Sequence, residues 1–370
     1  MKILYTCLSK SWGGLEMTAM QSAEKLQDKN ILVDLLCFPG SPINVEAEKR
    51  GINCVTLKAA GYFHPLKIKE LNLIIKKNSY SLIHSHYSKD LWIVVPSLNY
   101  LRIEIPLLLT KHMESSIIKK DFLHRFLYKR VNYILAISNV IKQNIINTCP
   151  VPKEKVILHY NGVDLKKFDP LKANGKKTRN EFNIKDNEVV IGMLSRITYG
   201  KGYEELLKAA KKLNEEFPNL KFLLIGEASS NEKDYKESIK KLVRDLSLEE
   251  KIIFAGFREN VSDLLSSMDI FAFPSHAESF GNSLIEAMAM EKPSVATNSH
   301  GVLDIIVDGV TGYLFIKKDE KDLAKKLKLL INSPEKRIEI GKAAKEYVIK
   351  NFDVEKQTQE LIGLYRKLAP

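Results

Sequence analysis

A chain of 370 residues is too long for one ordinary hydrophobic core and predicts two domains. Its 45% hydrophobic and 28% charged residues are the mix of a soluble globular protein, and no apolar run approaches the roughly 20 residues a membrane-crossing helix needs. The net charge of +12 is concentrated early: residues 1–165 carry 22 Lys and Arg against 13 Asp and Glu. An anionic substrate, an anionic membrane surface or a nucleic acid would each use that excess. No recognised nucleic-acid module accompanies it, so no nucleic-acid partner is expected.

In chain order, the opening Met1-Lys2-Ile3-Leu4-Tyr5-Thr6-Cys7-Leu8 has too short an apolar segment for a secretory signal and reads as a first strand. Cys7, Cys37, Cys54 and Cys149 lack metal-type spacing, and three of them sit in apolar strand-like runs. That pattern suits reduced thiols in a cytosolic protein. Short apolar runs then alternate with helical patterns throughout, the signature of parallel sheets with crossover helices. The runs at 2–7, 31–37, 53–57, 82–85, 106–110, 133–137 and 156–159 predict the strands of the first half. Those at 189–194, 221–225, 252–255, 270–273, 294–297 and 313–315 predict the second. Polar, Gly- and Pro-containing 164–185 is the expected linker.

Gly13-Gly14 at a strand-to-helix turn lets backbone approach a ligand closely, or is a plain tight turn. His86 and His112 follow strands, where ligand-facing residues belong, while His84 lies inside its strand and reads as structural. The three histidines lack the acidic companions of a metal set, so no metal is expected there. Ile117–Val131 places Phe122, Phe126 and Lys129 on one helical face. The simpler reading is a crossover helix with its Leu and Phe against the sheet and its basic face in water. The alternative is a basic amphipathic helix on an anionic membrane.

In the second half, Arg196 at a strand end and Lys201-Gly202 before a helix set two cations over one helix N-terminus, an arrangement suited to a diphosphate. Glu278 and Glu286 flank Ser279-Phe280-Gly281-Asn282-Ser283. A helix starting near Gly281 or Asn282 would offer unpaired N–H groups to a phosphate, with Glu278 in the loop ahead and Glu286 in the second turn.

Glu278-x7-Glu286, with Pro274-Ser275 before it and Pro293-Ser294-Val295-Ala296-Thr297 after it, resembles the signature of the retaining glycosyltransferases of family 4. So do Asn161-Gly162-Val163-Asp164 with Phe168, the Arg196…Lys201-Gly202 pair, Phe254-Ala255-Gly256-Phe257-Arg258, and Gly309-Val310-Thr311-Gly312. The resemblance covers nearly the whole chain. It implies the GT-B fold, an α/β architecture of two Rossmann-like, doubly wound domains facing each other across a deep cleft. Residues 1–165, with a terminal helix over 354–370 packing back onto them, would be the acceptor domain, and 166–353 the nucleotide-sugar donor domain.

It further implies catalytic roles for Glu278, His112, Arg196 and Lys201. Donor contacts fall to Gly13, Gly14, Phe257, Arg258, Ser279, Phe280, Gly281, Asn282, Ser283 and Glu286. No metal or other cofactor is expected, the cations offsetting the leaving diphosphate's charge. The expected partners are a nucleotide-diphospho-sugar donor and a glycan or lipid-linked acceptor, with peripheral contact to an anionic membrane. The expected setting is the cytoplasm or the cytoplasmic face of the membrane, in cell-envelope polysaccharide or lipopolysaccharide synthesis. The sequence departs from the family at Val302, where a glycine is more usual, and at Asp304, where glutamate is. The alternatives are a non-catalytic sugar-nucleotide-binding protein and a GT-B nucleotide-sugar 2-epimerase, whose additional cleft acids and histidines are not found.

Overall fold

Both predicted sheets form, and every strand pair in them is parallel. In the computed structural model, which describes residues 1–59, 61–62 and 64–369, the first seven strands are β1 (Lys2–Cys7), β2 (Leu32–Cys37), β3 (Asn53–Thr56), β4 (Leu82–Ser85), β5 (Leu107–Lys111), β6 (Tyr133–Ala136) and β7 (Val156–Leu158). They lie in the order β3-β2-β1-β4-β5-β6-β7. The remaining strands are β8 (Val189–Leu194), β9 (Leu220–Ile225), β10 (Ile252–Gly256), β11 (Ile270–Phe273), β12 (Ser294–Thr297) and β13 (Tyr313–Phe315), in the order β10-β9-β8-β11-β12-β13. Their ends differ from the expected ones by a residue or so. The chain divides into two compact units, Met1–Gly162 with Val354–Pro370, and Val163–Asp353. Pro370, within the expected 354–370 segment, lies outside the described residues.

The strands read as continuous apolar runs because helices cover both faces of each sheet. All five residues of β5 and all four of β11 and β12 are buried. Each order is doubly wound. The chain works outward from β1 through β2 to β3, then returns to β4 on the other side of β1, and it does the same from β8 to β11. Helices leaving neighbouring strands in opposite directions open a crevice at the carboxyl ends of those strands, where ligands of such sheets bind. The first unit therefore has a crevice beyond β1 and β4, and the second beyond β8 and β11.

The last helix, Val354–Leu368, belongs to the first unit's core through Leu361, Ile362 and Tyr365. The Tyr365 hydroxyl is 2.8 Å from the Tyr5 hydroxyl and 2.5 Å from His84 Nδ1.

Two local expectations change. The polar 164–185 stretch is not an open linker throughout: a helix at Gly175–Glu181 docks on the second unit. Arg179 drives this, its guanidinium donating to the Asp269 carboxylate at 2.7 Å and to the Ser267 carbonyl at 3.0 Å. The helix in Ile117–Val131 is the short Phe122–Lys129, and it turns Leu127 and Tyr128 inward while Phe122, Leu123 and Phe126 face out. The expected packing of both phenylalanines on the sheet is thereby corrected. Among the described residues no helix is long and apolar enough to cross a membrane.

Candidate functional site

The crevice of the second unit is built by two loops that touch through their backbones. Beyond β8 come Ser195 and Arg196, then a turn that ends at Gly202, ahead of the helix Tyr203–Glu216. Gly202 has φ +82°, and a Cβ there would meet the Pro274 carbonyl oxygen at 2.2 Å, so only glycine lets the loops approach this closely. The His276 amide donates to the Gly200 carbonyl at 2.8 Å. The His276 side chain, 2.9 Å from Glu205, ties the same loop to the first turn of the 203–216 helix. From the other side the Gly301 amide donates to the Glu278 carbonyl at 2.9 Å.

The Glu278 carboxylate is thus presented from a loop held on two sides. It pairs with the Lys201 ammonium and accepts from the Ser275 hydroxyl at 2.8 Å. Both charged side chains keep about a fifth of their surface exposed, so they face the crevice and are not sealed in the core. Arg196 is exposed and makes no ion pair among the described residues. A fixed carboxylate, a lysine bound to it and an exposed guanidinium at one switch point can hold a polyhydroxylated anion.

The helix Asn282–Ala289 starts where the residue pattern places it, behind Gly281 at φ +134° and with no side-chain cap on its first turn. Ser279, Asn282 and Ser283 stay partly exposed at its entrance. Phe280 does not: it is buried, its ring 5.5 Å edge-on from Phe352, so only its backbone can serve a ligand. Glu286 lies in the second turn, partly exposed, and burial pushes its carboxyl up to about 7, with the Lys167 ammonium pulling the other way. Phe257 and Arg258 follow β10, two strands from β8. Phe257 is largely exposed, whereas Arg258 is occupied: its guanidinium reaches Glu181 at 2.5 Å and the Ala255 carbonyl at 3.0 Å. Val302 is buried, so its extra bulk is absorbed by the core.

The first unit holds the other expected residues. Gly13 precedes the helix Gly14–Gln27 and has extended backbone, with Gly14 exposed in the first turn. His112 follows β5 in a cavity lined also by His84, His86 and His159. His86 Nδ1 lies 3.4 Å from His112 Nε2, and their rings stack with centroids 5.7 Å apart. His84 is saturated by Tyr365 and Thr110, a structural role. His86 Nε2 and His112 Nδ1 are buried with no hydrogen-bond partner among the described residues. Burial lowers His112 to about 3 and His159 to about 4, and holds His86 well below its usual value with help from neighbouring His84 and His112. These imidazoles are neutral at physiological pH, each able to offer one donor and one acceptor to a hydroxyl. Among the described residues no three or more His, Cys, Asp or Glu are grouped to hold a metal ion.

Two residues here carry no motif. His159 follows β7 directly and lines the cavity. Asp90 is buried in the crevice beyond β1 and β4, accepting from the Leu8 amide at 3.2 Å, and desolvation raises it to about 7. That crevice is lined by Lys10, Tyr87 and Lys89 as well. A polar residue a few positions past a buried strand was the available signal for both.

Comparison with known proteins bears on the same two units. Residues 12–167 match Glycosyltransferase Family 4, and residues 174–347 match Glycosyl transferases group 1. The chain is 32% identical over 240 residues to the capsular polysaccharide biosynthesis glycosyltransferase CapM of Staphylococcus aureus, covering 63% of this chain and 60% of that one. It therefore spans less than two thirds of that relative's length, and 59% and 54% of two other curated relatives. A glycosyltransferase structure from Rickettsia africae superposes with a TM-score of 0.90 at 23% identity, covering 99% of this chain and 98% of that one. Anabaena HepE, solved with UDP-glucose, superposes at 0.84 and 24% identity, covering 99% and 100%. At these identities the two structures speak to the fold alone. Together, the family matches and the two doubly wound sheets place the chain among the family 4-like glycosyltransferases of the GT-B fold.

Proposed function

We propose that this chain is a retaining glycosyltransferase that moves a sugar from a nucleotide-diphospho-sugar to a glycan or lipid-linked acceptor. The observation that carries the reading is the Lys201–Glu278 pair, fixed by backbone contacts at the crevice beyond β8 and β11, with Arg196 exposed beside the same strand end. Leaving-group departure places a second negative charge on the terminal phosphate, the third on the diphosphate. Arg196, Lys201 and the N-terminal turn of the 282–289 helix supply positive charge that strengthens as that charge develops, which is how electrostatic preorganisation lowers a barrier. With that charge coming from the protein, the transfer needs no metal.

Glu286 accepts from ribose hydroxyls, and backbone at Phe257 and Arg258 reads the base. Glu278 contacts the transferred sugar on the side away from Lys201. In the first unit, the orphan Nδ1 of His112 can bond a sugar hydroxyl, and Gly13-Gly14 let backbone approach a ligand closely. The first unit would take the acceptor and the second the donor. HepE's UDP-glucose makes that the first donor to try, and CapM's capsular role motivates a cell-envelope acceptor. The setting we infer is the cytoplasmic face of an anionic membrane.

The test is transfer from UDP-glucose to acceptors in a membrane lipid extract, with the product's anomeric configuration read by NMR and EDTA present in a parallel reaction. An α-linked product formed equally with EDTA supports the reading. A β-linked product would overturn retention, and loss with EDTA would overturn metal independence. Tight UDP-glucose binding without turnover would favour the non-catalytic alternative.

A further inference from the structure

Two cross-strand pairs follow one another where β4 and β5 end. The register sets His84 opposite Leu108, and the His84 ring reaches two positions further, its Nε2 2.7 Å from Thr110 Oγ1. Two residues on, where side chains return to the same face of the sheet, the offset repeats: His86 Nδ1 lies 3.4 Å from His112 Nε2. The Tyr5 ring packs against both rings, 5.2 Å from His84 and 4.5 Å from His86. The His86 amide donates to the Thr6 carbonyl at 2.9 Å, so the second pair also stands on fixed backbone.

The pairs differ in what they leave open. His84 uses both nitrogens, Nδ1 on the Tyr365 hydroxyl and Nε2 on Thr110. His86 and His112 use one nitrogen each, on one another. His86 Nε2 and His112 Nδ1 have no partner among the described residues, although the two residues are only 3% and 6% exposed. A buried imidazole with an open nitrogen costs stability that an apolar side chain of similar size would not. Packing therefore accounts for His84 and does not account for His86. Both open rings line a cavity of about 40 Å³, room for a water molecule or a hydroxyl group.

Burial keeps both rings neutral at physiological pH, so each carries a single N–H. The bond between them takes one N–H and one lone pair. Of the two open nitrogens, one must then donate and the other accept, and neither ring changes tautomer without the other. A neutral imidazole on its own has no such constraint. We propose that His86 is a positioning residue for His112, holding that ring in one tautomer so that its Nδ1 presents one fixed character to a sugar hydroxyl. A hydrogen-bonded partner on the far nitrogen is how imidazoles are generally fixed in tautomer and orientation. The inference rests on the sugar contact proposed above for His112 and adds the residue that gives this contact its direction. His86 acts through His112 and needs no contact with the sugar itself.

The test is long-range nitrogen–proton correlation NMR on the full chain labelled at histidine, run beside transfer kinetics from UDP-glucose. The His112 signals are assigned by their loss in His112→Gln. In wild type His112 should show a single tautomer, one nitrogen protonated and the other bare. His86→Phe keeps a ring in place and removes the partner. There His112 should become a mixture of both tautomers and kcat should fall about tenfold, while KM for UDP-glucose changes by no more than about twofold. His86→Asn sets an amide where Nδ1 stood and should recover most of kcat. A His86 that served packing alone would lower the melting temperature in His86→Phe and leave the His112 tautomer as it was, which would overturn the proposal. So would a kcat in His86→Phe equal to that of wild type. A wild-type His112 already mixed between tautomers would overturn it too, whether or not the variant folds. The NMR readout needs no turnover, so its failure is distinct from failure of the transferase reading, which wild type inactive on UDP-glucose would signal.

Discussion

The two crevice-bearing units hold their functional groups in opposite ways. In the second unit the groups are charged and partly exposed, Glu278 against Lys201, with Arg196 open beside them. In the first they are buried and neutral, a stack of imidazoles with orphan nitrogens aimed into a cavity. A charged diphosphate must be drawn from water and have its growing charge offset, which takes fixed cations. A sugar hydroxyl needs only direction, and a neutral imidazole in a low-dielectric pocket directs strongly without itself demanding a counter-ion. The sequence is basic mostly in its first half, yet the clustered charges of the candidate site are in the second. Bulk charge and site charge serve different ends.

The largest expected effect comes from breaking the charged side. Lys201→Ala or Arg196→Ala should each lower the transfer rate about 10²–10³-fold, read as nucleotide released from UDP-glucose. Because Lys201 and Glu278 act as a pair, Lys201→Ala/Glu278→Gln should cost much less than the two single losses multiplied.

Next is Glu286, whose carboxyl burial raises from about 4.5 to about 7. Between those values the folded state binds more protons than the unfolded one, so stability is fully present below about 4.5 and is lost as pH rises through 7. Glu286→Gln should remove that loss, making the variant more stable at pH 8 by about 3 kcal/mol while weakening donor binding. A melting-temperature series from pH 5 to 8 checks both the sign and the window.

Gly202→Ala tests whether the second site depends on loops in backbone contact. Its Cβ would meet the Pro274 oxygen at 2.2 Å, so a loss of about 1–3 kcal/mol in stability and a weaker donor shift are expected. The smallest effect sharpens the neutral side. Tyr365→Phe strands His84 Nδ1 and removes the bond to Tyr5, which should cost about 1–2 kcal/mol by denaturant unfolding.

Much of this was legible in the sequence. The strands could be read because parallel, doubly covered strands leave uninterrupted apolar runs, and the 282–289 helix because good helix formers follow Gly281 directly. Less legible was which face of a helix meets the sheet. In Phe122–Lys129 apolar residues lie all round, and periodicity alone could not tell that Leu127 and Tyr128 would win the inward positions. Phe280 reads as part of the loop motif yet packs on Phe352, a partner 72 positions away. The 175–181 helix depends on Arg179 meeting Asp269, a tertiary contact that local composition does not encode. His159 and Asp90 have no motif, and only burial marks them out.

The most direct test of the central claim is a titration of the purified chain with UDP-glucose and with GDP-, ADP- and dTDP-sugars. It is followed by thermal shift with and without EDTA, in wild type and in Arg196→Ala. One nucleotide class should raise the melting point in step with ligand excess over its dissociation constant, unaffected by EDTA and lost in the variant. A shift that survives Arg196→Ala undiminished, or no shift with any nucleotide sugar, would contradict a donor site built on the second unit's cations.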